Sequence, residues 1–269
     1  MIVYINFRFP GKLYRYCTLR FRTVVYHSVA SHQTKTSSRE ETTIKDLSSR
    51  IAEEGLGIGA IKLNPEDPFQ WASGYRMPIY NDNRMFLFHP QMRQVIAQGL
   101  ADIISEEKIQ PEVVAGTATA GIPHGALLAD VLSLPYIYIR DKPKGHGLRN
   151  RIEGIDAESD LGGLTVVVIE DLISTGGSSA RAVEAVREAN GECNWCLSIF
   201  SYGLEKAAEQ FDALKPPCSF SSLLTFPTLL EVARSGGFLS EDQIALLAEW
   251  REDPFGWGEK HGFPKVEKG

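Results

Sequence analysis

The sequence predicts an α/β protein built on a doubly wound parallel sheet flanked by helices, and three observations carry that prediction. Thr165-Val166-Val167-Val168-Ile169 is an unbroken β-branched run, the mark of a strand buried on both faces of a parallel sheet. From His89 onward, strand patterns alternate with helical ones, which is how parallel sheets are wound. The loops after these strands are rich in glycine and hydroxyl residues, and open α/β sheets bind ligands at the carboxyl ends of their strands.

Taken in order, the first helix starts near Thr43, with Ile44, Leu47 and Ile51 at helical spacing and Gly55 as its stop. Gly55-Leu56-Gly57-Ile58-Gly59-Ala60 has the spacing of a dinucleotide-binding loop, but it follows a helix where such a loop follows a strand, so it is set aside. Residues 71–84 read as a turn leading into a short extended segment. A helix carries Val95, Ile96, Leu100, Ile103 and Ile104, and a strand covers 113–115. A helix over 126–132 and a strand over 136–139 follow. The central strand, 165–171, precedes a helix that runs to about Asn190, with Gly191 just past its end. A further strand covers 196–200, and the chain closes with helices near 204–214, 228–234 and 241–251.

The central strand ends in two adjacent carboxylates, Glu170 and Asp171, and then Leu172-Ile173-Ser174-Thr175-Gly176-Gly177-Ser178-Ser179. A turn of this composition aims backbone N–H groups and the positive end of a helix at one point, and its glycines admit a bulky anion, so the expected guest is a phosphate. No Lys follows the last glycine, which excludes a nucleoside-triphosphate P-loop and leaves room for one monophosphate. The neighbouring acids would repel a second phosphate but accept the hydrogen bonds of a sugar diol. A sugar 5-phosphate fits best.

Two more loops fall at strand ends. Ala115-Gly116-Thr117-Ala118-Thr119-Ala120-Gly121-Ile122-Pro123 opens a helix with small residues, which suits either a second anion cradle or tight strand–helix packing. Residues 140–151, from Arg140 to Arg151, are long, basic and glycine-flanked. In isolation they read as a solvated face, but opposite a pyrophosphate they make chemical sense as a lid. There Lys144 and His146 would neutralise the departing charge. Tyr80 either stacks on a planar base or is an edge-strand aromatic, and both readings stay open.

Composition narrows the class. The 269 residues are 43% hydrophobic, enough for a core, and the net charge of -6 argues against general nucleic-acid binding. No apolar run approaches the roughly 18 residues of a membrane span. Four cysteines in a chain this long are no disulfide framework, so a cytoplasmic setting is the expectation. Cys193-Asn194-Trp195-Cys196 lacks the second close pair of a zinc site and enters a strand instead of starting a helix. Buried, inert thiols are expected. Residues 1–42 stand apart: Arg8, Lys12, Arg15, Arg20, Arg22, Lys35 and Arg39 all precede the first acid, Glu40. Their apolar residues alternate at least as much as they follow a helical period. The segment therefore reads as a poorly ordered basic extension, not an amphipathic targeting peptide, with one domain over 43–269.

The acid pair and hydroxyl/glycine turn resemble the signature of the type I phosphoribosyltransferases, which use phosphoribosyl pyrophosphate (PRPP). Ser73-Gly74 with Pro78-Ile79-Tyr80 and the Arg140-x-x-x-Lys144-x-His146-Gly147 loop make the chain resemble, within them, the orotate phosphoribosyltransferases over about 43–253. The resemblance implies a small hood formed by amino- and carboxyl-terminal segments, and a homodimer in which the lid reaches the partner's site. It implies that Arg140, Lys144 and His146 contact the pyrophosphate, that Thr119, Ala120 and Gly121 lie in its loop, and that Glu170 and Asp171 hold the ribose hydroxyls. Leu172, Ile173, Ser174, Thr175, Gly176, Gly177 and Ser178 would wrap the 5-phosphate, with Ser174 and Tyr80 also at orotate. Mg²⁺ would be held chiefly through the substrate's own oxygens, with no protein side chain as its ligand.

The chain departs from the family pattern at several charged positions, in the hood, the lid, the pyrophosphate loop and past the central motif; in the lid Lys142 could stand in for the missing Lys. Ala72 stands before the Ser-Gly, Asp141 follows the lid Arg, Thr119-Ala120 replaces a Tyr-Lys pair, and Ser201-Tyr202-Gly203 lies where an Arg often sits. Arg76 or Arg84 could supply a cation for the orotate carboxylate, or both could be ordinary surface residues. Two rivals follow: a transferase for uracil or a purine, and a non-enzymatic PRPP sensor. The second would need a winged-helix domain, of which the leader shows no pattern.

Overall fold

The computed structural model describes residues 3–9, 12–18, 44–71, 73–142, 151–156 and 159–267. The chain divides into two compact units, Met1–Glu40 and Glu41–Gly269. In the first, β1 (Val3–Phe9) and β2 (Lys12–Thr18) form an antiparallel hairpin. The expected lack of order in the leader falls largely on residues outside the described set.

In the second unit α1 (Ile44–Gly57) leads into two small antiparallel pairs, β3 (Ile61–Leu63) with β6 (Ile79–Asn81), and β4 (Phe69–Gln70) with β5 (Arg76–Met77). A 3-10 turn over Asn83–Phe88 leads to α2 (Pro90–Glu106). Gly55 does not stop α1, which runs two residues past it. A Cβ there would lie 2.9 Å from Ile61 Cδ1, so this glycine lets β3 pack close. Beyond α2 come β7 (Val113–Thr117), α3 (Gly121–Leu132), β8 (Tyr136–Ile139) and β9 (Ile152–Glu153). They are followed by β10 (Thr165–Ile173), α4 (Gly177–Glu188), β11 (Glu192–Ser201), α5 (Glu205–Asp212) and β12 (Ser219–Thr225). The chain then forms α6 (Phe226–Ser235), α7 (Glu241–Glu252) and the short α8 (Trp257–Lys260).

The main sheet has the order β12-β11-β10-β7-β8-β9, parallel except for the edge strand β9. This is the expected doubly wound sheet. The chain leaves β7 towards β8 on one side and returns to β10 on the other, so the switch point lies between β7 and β10. The hydrophobic run of β10 divides between two cores because successive strand side chains point to opposite faces. Val167 and Ile169 join the core that also takes residues of α1, α2, α3 and α6, while Val166 and Val168 join the one beneath α4 and α5. All four are at most 2% exposed. Burying each contributes about 1.5–3 kcal/mol, which offsets the cost of ending the strand in a buried carboxylate, Glu170, and a half-buried one, Asp171.

Two strand expectations are corrected. The central strand does not end at 171 but continues to Ile173, because the ladder with β11 extends to Ile173↔Ser201 while the ladder with β7 stops at Ile169↔Gly116. The acids are therefore still in a strand on one side and past the sheet on the other. Strand β12 lies in a stretch with no strand signal: Ser-Phe-Ser-Ser alternates weakly, and it is held by its ladder with β11, where Ser198 Oγ and Ser222 Oγ pair at 2.6 Å.

The hood is built as the resemblance implies, from the segment before α2 and the carboxyl-terminal tail. Val266 N donates to Gly74 O (2.9 Å), and Gly74 has φ 87° with no room for a Cβ against the Val266 carbonyl. An aromatic cluster closes it: Trp71 stacks on Tyr202 (5.6 Å), Tyr202 meets Trp250 edge-on (5.4 Å), and Trp250 Nε1 donates to Met77 Sδ (3.0 Å).

Candidate active site

A cleft of about 360 Å³ opens at the switch point, lined by Arg84, Ala118, Thr119, Ala120, Glu170, Asp171, Leu172 and Ser178. Three independent pieces of chain meet there: the 3-10 turn of the hood, the loop after β7 and the loop after β10.

The two helices that start at the cleft do so without side-chain caps. Ala120 before α3 makes no side-chain cap hydrogen bond, and neither does Gly176 before α4. The first N–H groups of both helices are therefore left to a ligand or to water, and both positive dipole ends converge on one space. Helices α2, α5, α6 and α8 also start without a side-chain cap, and among the described residues only α7 has a capping box, so what distinguishes α3 and α4 is that both start at the cleft. Two glycines are required for this geometry. Gly176 has φ 78°, and its Cβ position would be 3.0 Å from Ala207 Cα. At Gly121 a Cβ would stand 2.4 Å from both the Ile169 carbonyl oxygen and Thr117 Oγ1, so α3 can press against β10 only with glycine there.

The carboxylates are held in unlike ways. Glu170 is 8% exposed. Its Oε1 accepts from Thr117 Oγ1 (2.6 Å) and from Asp171 N (3.1 Å), and its Oε2 accepts from Ser179 Oγ (3.3 Å). Burial, reinforced by the adjacent Asp171 charge, pushes its pKa up to about 8, while the Thr117 hydrogen bond pulls the other way. Burial also raises Asp171, opposed by a hydrogen bond from Glu170, by backbone N–H groups and by the Arg84 charge. Burial raises both members of this coupled pair, so the empty site favours one negative charge shared between them over two. Asn83 Nδ2 donates to the Asp171 carbonyl (2.7 Å), tying the hood to the end of β10. Arg84, one residue on, makes a fork with Asp82, Nε to Oδ1 at 2.6 Å and Nη2 to Oδ2 at 2.8 Å.

Of the residues singled out in the sequence, Glu170, Asp171, Leu172, Ser178, Thr119 and Ala120 come together in the cleft. Gly121 begins α3 beside them, and Ser174, Thr175 and Gly176 form the turn into α4 at Gly177. Ile173 points its side chain into the core beneath α4, leaving only its main chain for a ligand. Tyr80 lies on β6, 39% exposed, with its ring 5.9 Å from Phe69 and outside the cleft lining. Arg140 sits at the root of its loop, Nη1 3.3 Å from Glu153 Oε1. Lys144 and His146 lie outside the described residues. Sequence reasoning missed Thr117, Ser179 and Asn83 as partners of the acids. Thr117 and Ser179 had a readable signal, a hydroxyl at the end of the neighbouring strand and another one turn into α4, whereas Asn83 had none.

Cys193, Cys196 and Cys218 are buried free thiols; the contact with Cys218 and then burial raise Cys193 well above the ordinary range, and burial raises Cys196. A bulge in β11, where Thr165↔Glu192 gives way to Val167↔Trp195, turns Cys193 and Cys196 to the same core. Among the described residues no group of three or more His, Cys, Asp or Glu side chains is placed to hold a metal, and no helix is long and apolar enough to cross a membrane.

Comparison with known proteins agrees with this geometry. Residues 83–216 match the model of the phosphoribosyl transferase domain. A curated orotate phosphoribosyltransferase of Lactiplantibacillus plantarum is 45% identical over 215 residues, 80% of this chain and 99% of that protein. The crystal structure of an orotate phosphoribosyltransferase from Aeropyrum pernix superposes with a TM-score of 0.58 at 29% identity, over 71% of this chain and 99% of that one. Leishmania donovani UMP synthase, at 23% identity and a TM-score of 0.62, shares the fold over 77% of this chain and 43% of its own.

Proposed function

Because the chain belongs to the orotate phosphoribosyltransferase family, we propose a division of labour among its residues for that family's reaction. The chain is a phosphoribosyltransferase acting on orotate: ribose 5-phosphate passes from PRPP to the base, giving orotidine 5'-monophosphate and pyrophosphate. The observation that carries the assignment of roles is the acid pair at the switch point, flanked by two uncapped helix starts.

In this reading Glu170 and Asp171 accept hydrogen bonds from the two ribose hydroxyls, and the main chain of 172–178 with the Ser174, Thr175 and Ser178 hydroxyls wraps the 5-phosphate. The Thr119-Ala120-Gly121 loop offers N–H groups to the pyrophosphate. As the bond from C1 to the pyrophosphate oxygen lengthens, positive charge grows on the sugar and negative charge on the leaving group. The protein's contribution is to orient the sugar and to meet both charges. Asp171 faces the cationic ring, and Arg140, Lys144 and His146 close over the leaving group, keeping water away. The lid serves the partner subunit's site in a homodimer, and Ser174 and Tyr80 bound the orotate site.

Mg²⁺ belongs to the same proposal. Glu170 and Asp171 are taken up with the ribose hydroxyls in this reading and no other carboxylate is among the described residues lining the cleft, so the ion would be carried chiefly on the substrate's own oxygens. When bound it neutralises pyrophosphate charge. A cytosolic setting is included, supported by the three buried thiols left unpaired.

The test is steady-state turnover of orotate by Asp171→Asn. A large loss in kcat, or a raised KM for PRPP with that for orotate unchanged, is expected. Unaltered kinetics would remove the acid pair from the site.

A further inference from the structure

Orotate differs from uracil by one carboxylate, so a site that selects it needs a fixed cation on the acceptor side. Few residues near the acid pair can supply it. Tyr202, past the end of β11, is 1% exposed and locked between Trp71 and Trp250, so it presents nothing to the cleft. The loop before α3 contributes only Ala118, Thr119 and Ala120. Arg76, the other candidate, already donates to the Pro68 carbonyl (3.5 Å) and, like Tyr80, lies outside the lining of the cleft that holds the acid pair, whereas Arg84 is part of that lining. Among the described residues that line it, Arg84 is the one base.

Arg84 is also held ready. Its Nε and Nη2 are clamped by Asp82, whose Oδ1 further accepts Arg84 N (3.2 Å), and Asp82 N is itself anchored to Ala60 O (2.7 Å). The next residue back, Asn83, is bonded to the main chain of Asp171. The guanidinium is thus fixed relative to the ribose acids through two short links. An exposed ion pair such as Asp82–Arg84, with the Arg side chain 58% exposed, contributes little stability, so its geometry is better explained by what it orients. The fork to Asp82 uses one edge of the guanidinium, and the terminal Nη1/Nη2 edge has no protein partner among the described residues. That edge matches a carboxylate in two-pronged fashion.

Resting on the family assignment, we infer that Arg84 is the acceptor-specificity residue of this enzyme, its free guanidinium edge taking the carboxylate that orotate carries and uracil lacks. The same edge would also suit a pyrophosphate oxygen, and the two ligands separate kinetically. In Arg84→Gln, KM is measured for orotate and PRPP in the forward direction, and for orotidine monophosphate and pyrophosphate in reverse. Loss of a charge-assisted contact should raise KM for the two carboxylate-bearing substrates at least about thirtyfold, leaving PRPP and pyrophosphate within about threefold. Asp82→Asn, which keeps the cation but frees it, should move the same two constants by less. A rise confined to PRPP and pyrophosphate would overturn the inference in favour of a leaving-group role, and no change in any constant would reduce Arg84 to a surface pair. Wild-type enzyme inactive on orotate would instead overturn the family reading.

Discussion

Replacing Thr117 with Val tests whether the raised pKa of Glu170 is part of substrate binding. The two side chains are nearly isosteric and Thr117 is 5% exposed, so the exchange removes a hydroxyl with little change of volume. That hydroxyl donates to Glu170 Oε1 at 2.6 Å and favours the ionised carboxylate. With a pKa of about 8, Glu170 in the empty site is mostly protonated at pH 7, and ionising it to receive a ribose diol costs about 1.4 kcal/mol. A hydrogen bond to a charged acceptor contributes roughly 1.5–3 kcal/mol, so the variant should bind Mg²⁺–PRPP about tenfold more weakly at pH 7, or worse. Isothermal titration from pH 6.5 to 9 reads this directly. Wild-type affinity should climb towards pH 8 and then level. The variant should level only at higher pH, so that the gap between them narrows as pH rises. Titration of PRPP's own phosphates is common to both proteins and cancels in the comparison. Superimposable curves, or a loss equal at every pH, would refute a role through the ionisation of Glu170.

The same group has a consequence for stability. Its folded pKa lies above its ordinary value of 4.5, so its contribution is fully present below pH 4.5 and is lost as pH rises through about 8. Glu170→Gln, which cannot ionise, should therefore melt higher than wild type by a margin that widens from pH 5 to pH 8 in calorimetry without ligand, and a constant margin would contradict the assignment. On the lid, Lys144→Ala should lower kcat by about 10²–10³, as for a lost oxyanion donor, while PRPP binding weakens far less. Equal losses in pre-steady-state turnover and in binding would remove its leaving-group role.

The fold was legible where one physical demand dominated. The run 165–169 must be buried on both faces, and the loop after it has the glycines that a close anion requires, so strand, turn and helix follow from composition alone. Strand β12 was illegible because serine carries no strong strand preference, and what holds this segment in the sheet is its ladder with β11, a pairing of residues more than twenty positions apart. Gly55 misled for a related reason: it serves the packing of Ile61 and Phe86, not a helix end. In the site, Glu170 and Asp171 announced themselves by adjacency and position. What sets them apart, the Thr117 donor from one strand and the Asn83 tie from the hood, depends on contacts across 53 and 88 residues that no local pattern encodes. The sequence offered Arg76 and Arg84 either as a cation for the orotate carboxylate or as surface residues, and only the structure shows that Arg84 lines the cleft while Arg76 does not.

The central claim is that the acid pair at the switch point reads the ribose while the uncapped starts of α3 and α4 hold its two phosphate groups. A crystal structure of the enzyme with Mg²⁺ and PRPP tests it most directly. The account predicts both ribose hydroxyls within hydrogen-bond distance of Glu170 and Asp171, the 5-phosphate on the N–H groups of 174–178, and the pyrophosphate on those of 119–121. A 5-phosphate seated anywhere but the start of α4, or a diol that turns away from both carboxylates, would contradict it.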